Sequence, residues 1–272
     1  MDDLVGLSRL MKESSGDPEC IIGVVDGPAC KNMHTRDITC LLPVQGNDCK
    51  TEGSHCIHAS AVISVLHGGG DRHPSGICPK CRVLLYPLYK TASLSAAPEQ
   101  LAEAIIALVK SGVTIINLSL AVINASESSS QCLSTAIDYA CSEGVYVVAA
   151  AGNQHQIATT TITRHPWVIP VTASDEHGET MLSSNLGAGL ARRGVRAPGT
   201  IRFAPHGGVP QNIAGTSIAA AYVSGILALL LSLYKGVEPI HFLRSLRSEK
   251  HHTCVPAALN VDNACLYLSQ YH

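Results

Sequence analysis

Four polar residues stand where apolar runs begin or end, which is where a fold can gather them: Asp26, His55, Asn153 and Ser217. Ser217 closes a Gly-Thr-Ser step in front of the run "I-A-A-A-Y-V-S-G-I-L-A-L-L-L-S". Its hydroxyl can cap the helix that this run predicts, accepting a backbone N–H that the helix cannot satisfy itself. It can equally be presented as a nucleophile at the positive end of that helix. Asp26 ends "C-I-I-G-V-V-D" and is followed by Gly27 and Pro28, so it reads either as a turn aspartate or as a carboxylate able to orient an imidazole. Two histidines, His55 and His58, sit at i and i+3 in "S-H-C-I-H-A-S-A-V". A zinc pair would need further ligands, and no carboxylate or cysteine follows at a ligand spacing. His55, at the opening of the helix, reads as the base held by Asp26, with His58 one turn deeper and structural. Asn153 ends "V-V-A-A-A-G-N", either as turn chemistry or as a donor to a developing oxyanion.

The elements that must position these residues alternate along the chain. Apolar runs rich in β-branched residues predict strands at 20–26, 82–89, 113–120, 145–151 and 167–173. They are apolar on both faces, as strands of a helix-covered parallel sheet must be. Helical patterns fall between them at 55–66, 97–111 and 131–143, then after Ser217 and again near 240–248. The alternation predicts an α/β fold: a three-layer α/β/α, doubly wound, mostly parallel sheet. No repeat or linker interrupts it. One domain over 1–272 is expected, with a core at about 20–235 and a C-terminal helix and Cys-containing tail at 236–272. In such sheets the ligand site lies beyond the carboxyl ends of the strands, and all four polar residues fall at such positions.

The ordered set Asp26, His55, Asn153, Ser217 resembles the subtilisin-like serine proteases, the subtilases, over residues 20–235. The blocks that carry the resemblance are "V-V-D-G", "H-x-x-H-A-S-A-V", "V-A-A-A-G-N" and "G-T-S-I-A-A-A-Y-V-S-G", supported by "I-I-N-L-S-L", "S-S-N-L-G" and "R-A-P-G". The resemblance implies a triad in the order Asp, His, Ser. Ser217 would be the nucleophile, His55 the general base and Asp26 the group that holds the imidazole tautomer. The Asn153 side chain and the Ser217 N–H would form the oxyanion hole. It also implies an extended peptide substrate, laid along 117–122 on one side and the loop after Tyr89 on the other, with Ser119, Leu120, Ala121 and Gly152 in contact. No cofactor is expected, and no acidic loop predicts bound calcium.

Departures from the family pattern narrow the expectation. Asp26-Gly27-Pro28 stands for Asp-Ser/Thr-Gly, His55-Cys56-Ile57-His58 for His-Gly-Thr-His, and Ala221 for a proline. Ala121 and Val122 replace glycines that open the substrate pocket, which argues against broad digestion. With "V-D-G-P" and many cysteines, the chain is similar to subtilases that mature ribosomal peptides, such as the cyanobactin-processing proteases. The 28 residues between Asp26 and His55 leave no room for the helical insert of the macrocyclases. Hydrolysis of a precursor peptide is therefore expected, with a macrocyclase or transpeptidase, or a catalytically silent peptide-binding module, as alternatives. A nucleotide-binding reading fails because "D-G-P-A-C-K" supplies no glycine-rich phosphate cradle.

Composition sets the remaining bounds. The net charge of −2 gives no electrostatic case for nucleic acid or an anionic membrane. The 17 uncharged residues at 218–234 are at the lower limit for a span and read as a core helix. The acidic start, "M-D-D-L-V-G-L-S-R-L-M-K-E", is not a secretory signal, and a cytoplasmic location is expected. Eleven cysteines include "C-P-K-C" at 78–81; no second C-x-x-C completes a zinc site, and a redox pair normally opens a helix after a strand whereas this one runs into a strand, so it reads as a turn. Cys254 and Cys265 are the pair expected to bridge, if any do.

Overall fold

In the computed structural model, residues 4–30, 33, 37–41, 53–68, 76–88, 97–120, 126–204, 209–247 and 254–272 are described. Seven strands form one sheet: β1 (Ile21–Asp26), β2 (Ile38–Cys40), β3 (Arg82–Pro87), β4 (Ile115–Leu118), β5 (Tyr146–Ala150), β6 (Val168–Ser174) and β7 (Val195–Pro198). Their order is β2-β3-β1-β4-β5-β6-β7, and every neighbouring pair is parallel. The five strands expected from the apolar runs are its centre. The edge strands β2 and β7 escape the pattern, because "I-T-C" is too short and "V-R-A-P" carries a charge and a proline. A hairpin of β8 (Thr200–Phe203) and β9 (Gln211–Ala214) stands apart from this sheet.

Helices cover both faces. Among α1 (Leu7–Glu13), α2 (Ser54–His67), α3 (Pro98–Lys110), α4 (Glu127–Ser142), α5 (Ala188–Arg193), α6 (Thr216–Leu233), α7 (Pro239–Ser245) and α8 (Val261–Leu268), the central pair α2 and α6 lies on one face with α1, α7 and α8. Helices α3 and α4 pack on each other and cover the other face. This is the three-layer, doubly wound architecture that the alternation predicts. The tail beyond α7 returns to the sheet edge: Arg196 N–H donates to the Ala257 carbonyl at 2.8 Å, and Leu259 N–H to the Arg196 carbonyl at 2.9 Å. Cys254 and Cys265 are both reduced, which corrects the pairing expected for them. Cys56 is disulfide-bonded.

α6 decides where the nucleophile candidate sits. It is apolar enough to cross a membrane by length and composition, with a mean hydropathy of 1.9 over 18 residues. It runs instead through the core against α2 and strands β4 to β7. Ile218, Ile226, Leu227, Leu229 and Leu230 are all exposed by 1% or less. Burying each such side chain is worth about 1.5–3 kcal/mol. Their sum exceeds what any polar contact at the helix end contributes, so packing fixes the first turn.

Candidate active site

From β1 the chain moves outward to β2 and β3, then crosses back to β4 on the other side of β1. The winding therefore reverses between β1 and β4, and sheets of this kind bind ligands beyond the carboxyl ends at that point. Asp26 ends β1, Ser119 follows β4 directly, Asn153 lies three residues past β5, and Ser217 is in the first turn of α6. Three of the four predicted residues reach the site from separate elements.

The imidazole is the exception. Asp26 is 2% exposed, and its Oδ1 accepts the Gly27 N–H at 2.7 Å and pairs with His58 Nδ1 at 2.9 Å. His58, and not the predicted His55, is thus the histidine that the structure pairs with the acid. The cause is local. A Cβ built on Gly27 would lie 2.9 Å from the His55 carbonyl oxygen and 3.0 Å from the His55 Cβ. The glycine lets the first turn of α2 rest directly on the Asp-Gly-Pro turn, which brings the second turn beside the carboxylate. The Asp26 charge raises the pKa of His58 above the usual histidine value, against the opposing effect of burial. For a raised histidine the ion pair stabilises the fold fully below its unfolded pKa and fades as pH rises through the folded one. Asp26 Oδ2 is buried with no hydrogen-bond partner among the described residues.

Ser217 does not cap its helix. The N-cap is Gly215, and no side chain caps α6. The Ser217 hydroxyl donates to the Ser119 carbonyl at 2.9 Å. Its single proton is thereby engaged, so the hydroxyl must give up this bond before it can donate to an imidazole. Ser119 is itself held: its hydroxyl accepts from Asn117 Nδ2 at 2.7 Å, and Asn117 Oδ1 accepts from the Ser224 hydroxyl at 2.9 Å, two turns along α6. The helix that carries Ser217 therefore also grips the strand end that faces it.

Asn153 is tied to the same helix end, since its Oδ1 accepts the Thr216 N–H at 3.0 Å. That contact leaves the amide nitrogen as the donor end, lying 2.9 Å from where a Cβ on Gly215 would stand. Gly152 donates its N–H to Thr216 Oγ1 at 3.2 Å and accepts the Asn185 N–H at its carbonyl at 2.9 Å. Both backbone groups of this predicted substrate contact are engaged inside the protein, where they hold the Asn153 loop. Leu120 is buried beside Ser119. Ala121, Val122 and the loop after Tyr89 lie outside the described residues.

Two supports went unread in the sequence. Asn185, 1% exposed, accepts from the Gln154 and Gln156 N–H groups and donates to the Ala151 carbonyl and to Gln154 Oε1. It clamps both sides of Asn153, and its signal was the block "S-S-N-L-G", to which no role was attached. For His58 the signal was residue size. Setting the family's His-Gly-Thr on His58 gives His58-Ala59-Ser60, all small, whereas His55 is followed by Cys56 and Ile57. The buried Ser60 hydroxyl accepts the Cys30 N–H at 2.9 Å, joining α2 to the chain just past Asp26.

The subtilase family model matches residues 42–258. The chain belongs to the subtilase family, the subtilisin-like serine proteases. Subtilisin DY of Bacillus licheniformis is 29% identical over 224 residues, covering 78% of this chain and 77% of that protein. The thermophilic serine proteinase of Bacillus sp. strain AK1 is 33% identical over 68% of this chain, but the match spans only 43% of its own length. Among solved structures, the prenylagaramide maturation protease PagA superposes with a TM-score of 0.83 at 30% identity, over 97% of this chain and 98% of PagA. A mutant of the PatA protease domain gives 0.81 at 28% identity, over 99% and 98%. The PatG macrocyclase domain reaches 0.83 at 23% identity over 97% and 96%, a likeness of fold.

Proposed function

We propose that this subtilase is an endopeptidase that cuts a ribosomally made precursor peptide by hydrolysis, releasing its leader. The observation that carries the reading is the Asp26–His58 pair at the switch point where Ser217 opens α6. The likeness to a prenylagaramide maturation protease over nearly the whole chain supports the substrate class. In this reading Ser217 attacks the scissile carbonyl while His58 takes its proton and later returns it to the leaving amine. Asp26 fixes the imidazole tautomer and stabilises the imidazolium. The Asn153 amide and the Ser217 N–H receive the oxyanion. The substrate lies extended along the strand end that follows β4, adding main-chain hydrogen bonds there. Only 31 residues separate Asp26 from His58, which favours an open site that admits water.

Mass spectrometry of precursor peptides incubated with the protein tests this. Linear fragments that together exceed the precursor by one water are expected. A cyclic product without that water overturns hydrolysis in favour of transpeptidation. Labelling by a fluorophosphonate, abolished in Ser217→Ala, is expected too. An unlabelled native protein that still binds peptide would make the site a silent binding module.

Gly215 offers a further check. Its φ of +145 suits glycine, and a methyl there would meet the Asn153 amide nitrogen at 2.9 Å. Gly215→Ala should therefore displace the oxyanion donor and lower kcat by about 10²–10³-fold. KM for a peptide substrate should change little, which steady-state kinetics would show.

A further inference from the structure

The "C-P-K-C" pair does not stand alone in the fold. Cys78 and Cys81 close a turn, with the Cys81 N–H donating to the Cys78 carbonyl at 3.0 Å, and the chain then enters β3. Cys20 precedes β1, which pairs with β3 in the register Ile21↔Arg82. One step back along both strands sets Cys20 beside Cys81, and the ladder continues there through the Arg82 N–H to the Cys20 carbonyl at 3.2 Å. The three thiols are reduced and exposed by 6% or less. The neighbouring Cys20 and Cys78 thiols hold the Cys81 thiol well below its ordinary pKa and are themselves pushed up. A thiol held low beside two others gives up its proton first, and the thiolate is the nucleophilic form in disulfide exchange.

We propose that this cluster is a thiol–disulfide exchange site, in which Cys81 attacks a low-molecular-weight disulfide and Cys20 closes a Cys20–Cys81 bridge across β1 and β3. In the first step the Cys81 thiolate attacks one sulfur of R–S–S–R, forming Cys81–S–S–R and expelling RS⁻. In the second the released RS⁻ takes the Cys20 proton and leaves as RSH, and the Cys20 thiolate attacks the Cys81 sulfur, expelling the second RS⁻ and leaving the bridge. Two protein thiols are oxidised and one small disulfide is reduced to two thiols. Register neighbours on adjacent strands lie about 5 Å apart, inside the Cα window for a disulfide, so the bridge forms without backbone movement.

Access is governed by the segment ahead of β1. A Cβ on Gly16 would lie 2.5 Å from the Cys81 sulfur, so this backbone lies directly over the thiolate. The cover is tied down by the Lys80 N–H to the Ser15 carbonyl at 2.9 Å and by the exposed Lys235–Asp17 ion pair at 2.6 Å. Local opening of this segment admits the oxidant. The site lies at the amino ends of β1 and β3, about 20 Å along the strand from Asp26. Oxidation should therefore tighten the fold and leave peptide hydrolysis unchanged.

The test treats the native protein with glutathione disulfide, blocks remaining thiols with iodoacetamide after unfolding, and maps the peptides by mass spectrometry. A Cys20–Cys81 linkage with Cys78 alkylated is expected, together with a Tm raised by about 5–10 °C, as a bridge closing a long loop should give. Three alkylated cysteines, a persistent glutathione adduct on Cys81, or any other pairing overturns the proposal. Lys235→Ala, which loosens the cover away from the thiols, should speed bridge formation several-fold. An unchanged rate would show that this segment does not gate the site.

Discussion

Replacing His58 by alanine should lower kcat for peptide hydrolysis by about 10⁶-fold, the size of loss known for the triad histidine of subtilisin, a relative of this chain. His55→Ala should stay within about ten-fold of the parent, because its imidazole is not the ring that pairs with Asp26. The contrast follows from one contact: His58 Nδ1 is 2.9 Å from the buried Asp26 carboxylate, while His55 lies a turn earlier with its backbone on Gly27. In the proposed mechanism His58 takes the Ser217 proton, so its loss should leave only what the oxyanion donors and substrate binding contribute. Single-turnover kinetics on both variants, with fluorophosphonate labelling as a second readout, would decide. A collapse in His55→Ala with His58→Ala nearly intact would reverse the assignment.

Asp26→Asn should lower kcat by about 10⁴-fold, as found when other triad proteases exchange this carboxylate for an amide. The pH profile carries the more specific signature. Activity needs neutral His58, so kcat/KM rises with pH through the His58 pKa. The Asp26 charge is the leading cause of the upward shift, so the parent acid limb lies above the ordinary histidine range near 6.5. Removing that charge moves the limb to lower pH, because only burial, which favours the neutral ring, then acts on it. A rate–pH profile for Asp26→Asn with its acid limb unmoved would mean that another group titrates.

The same features explain how far the sequence could be read. The central strands and α6 were legible because each is an uninterrupted apolar run, buried on both faces or all round. Asp26, Asn153 and Ser217 were legible because each is a polar residue just where such a run stops or starts. Edge elements were not, since β2 and β7 are half-exposed and short, and the eight-residue α8 is held mainly by packing on α7 and α1. The "C-P-K-C" turn was visible, but its third thiol comes from a strand some 60 residues earlier that only the register sets beside it.

The choice between His55 and His58 belongs wholly to the tertiary structure. Residues at i and i+3 share one face of a helix and differ by about 4.5 Å along its axis, so periodicity gives them equal claim. What separates them is how closely the first turn of α2 settles on the turn after β1. That distance is set by the missing side chain of Gly27, with the His55 carbonyl where a Cβ would crowd it. The sequence alone determined that an acid, an imidazole, an amide and a hydroxyl converge at one sheet edge. Which imidazole meets the acid was decided by a single van der Waals contact between elements that periodicity treats separately.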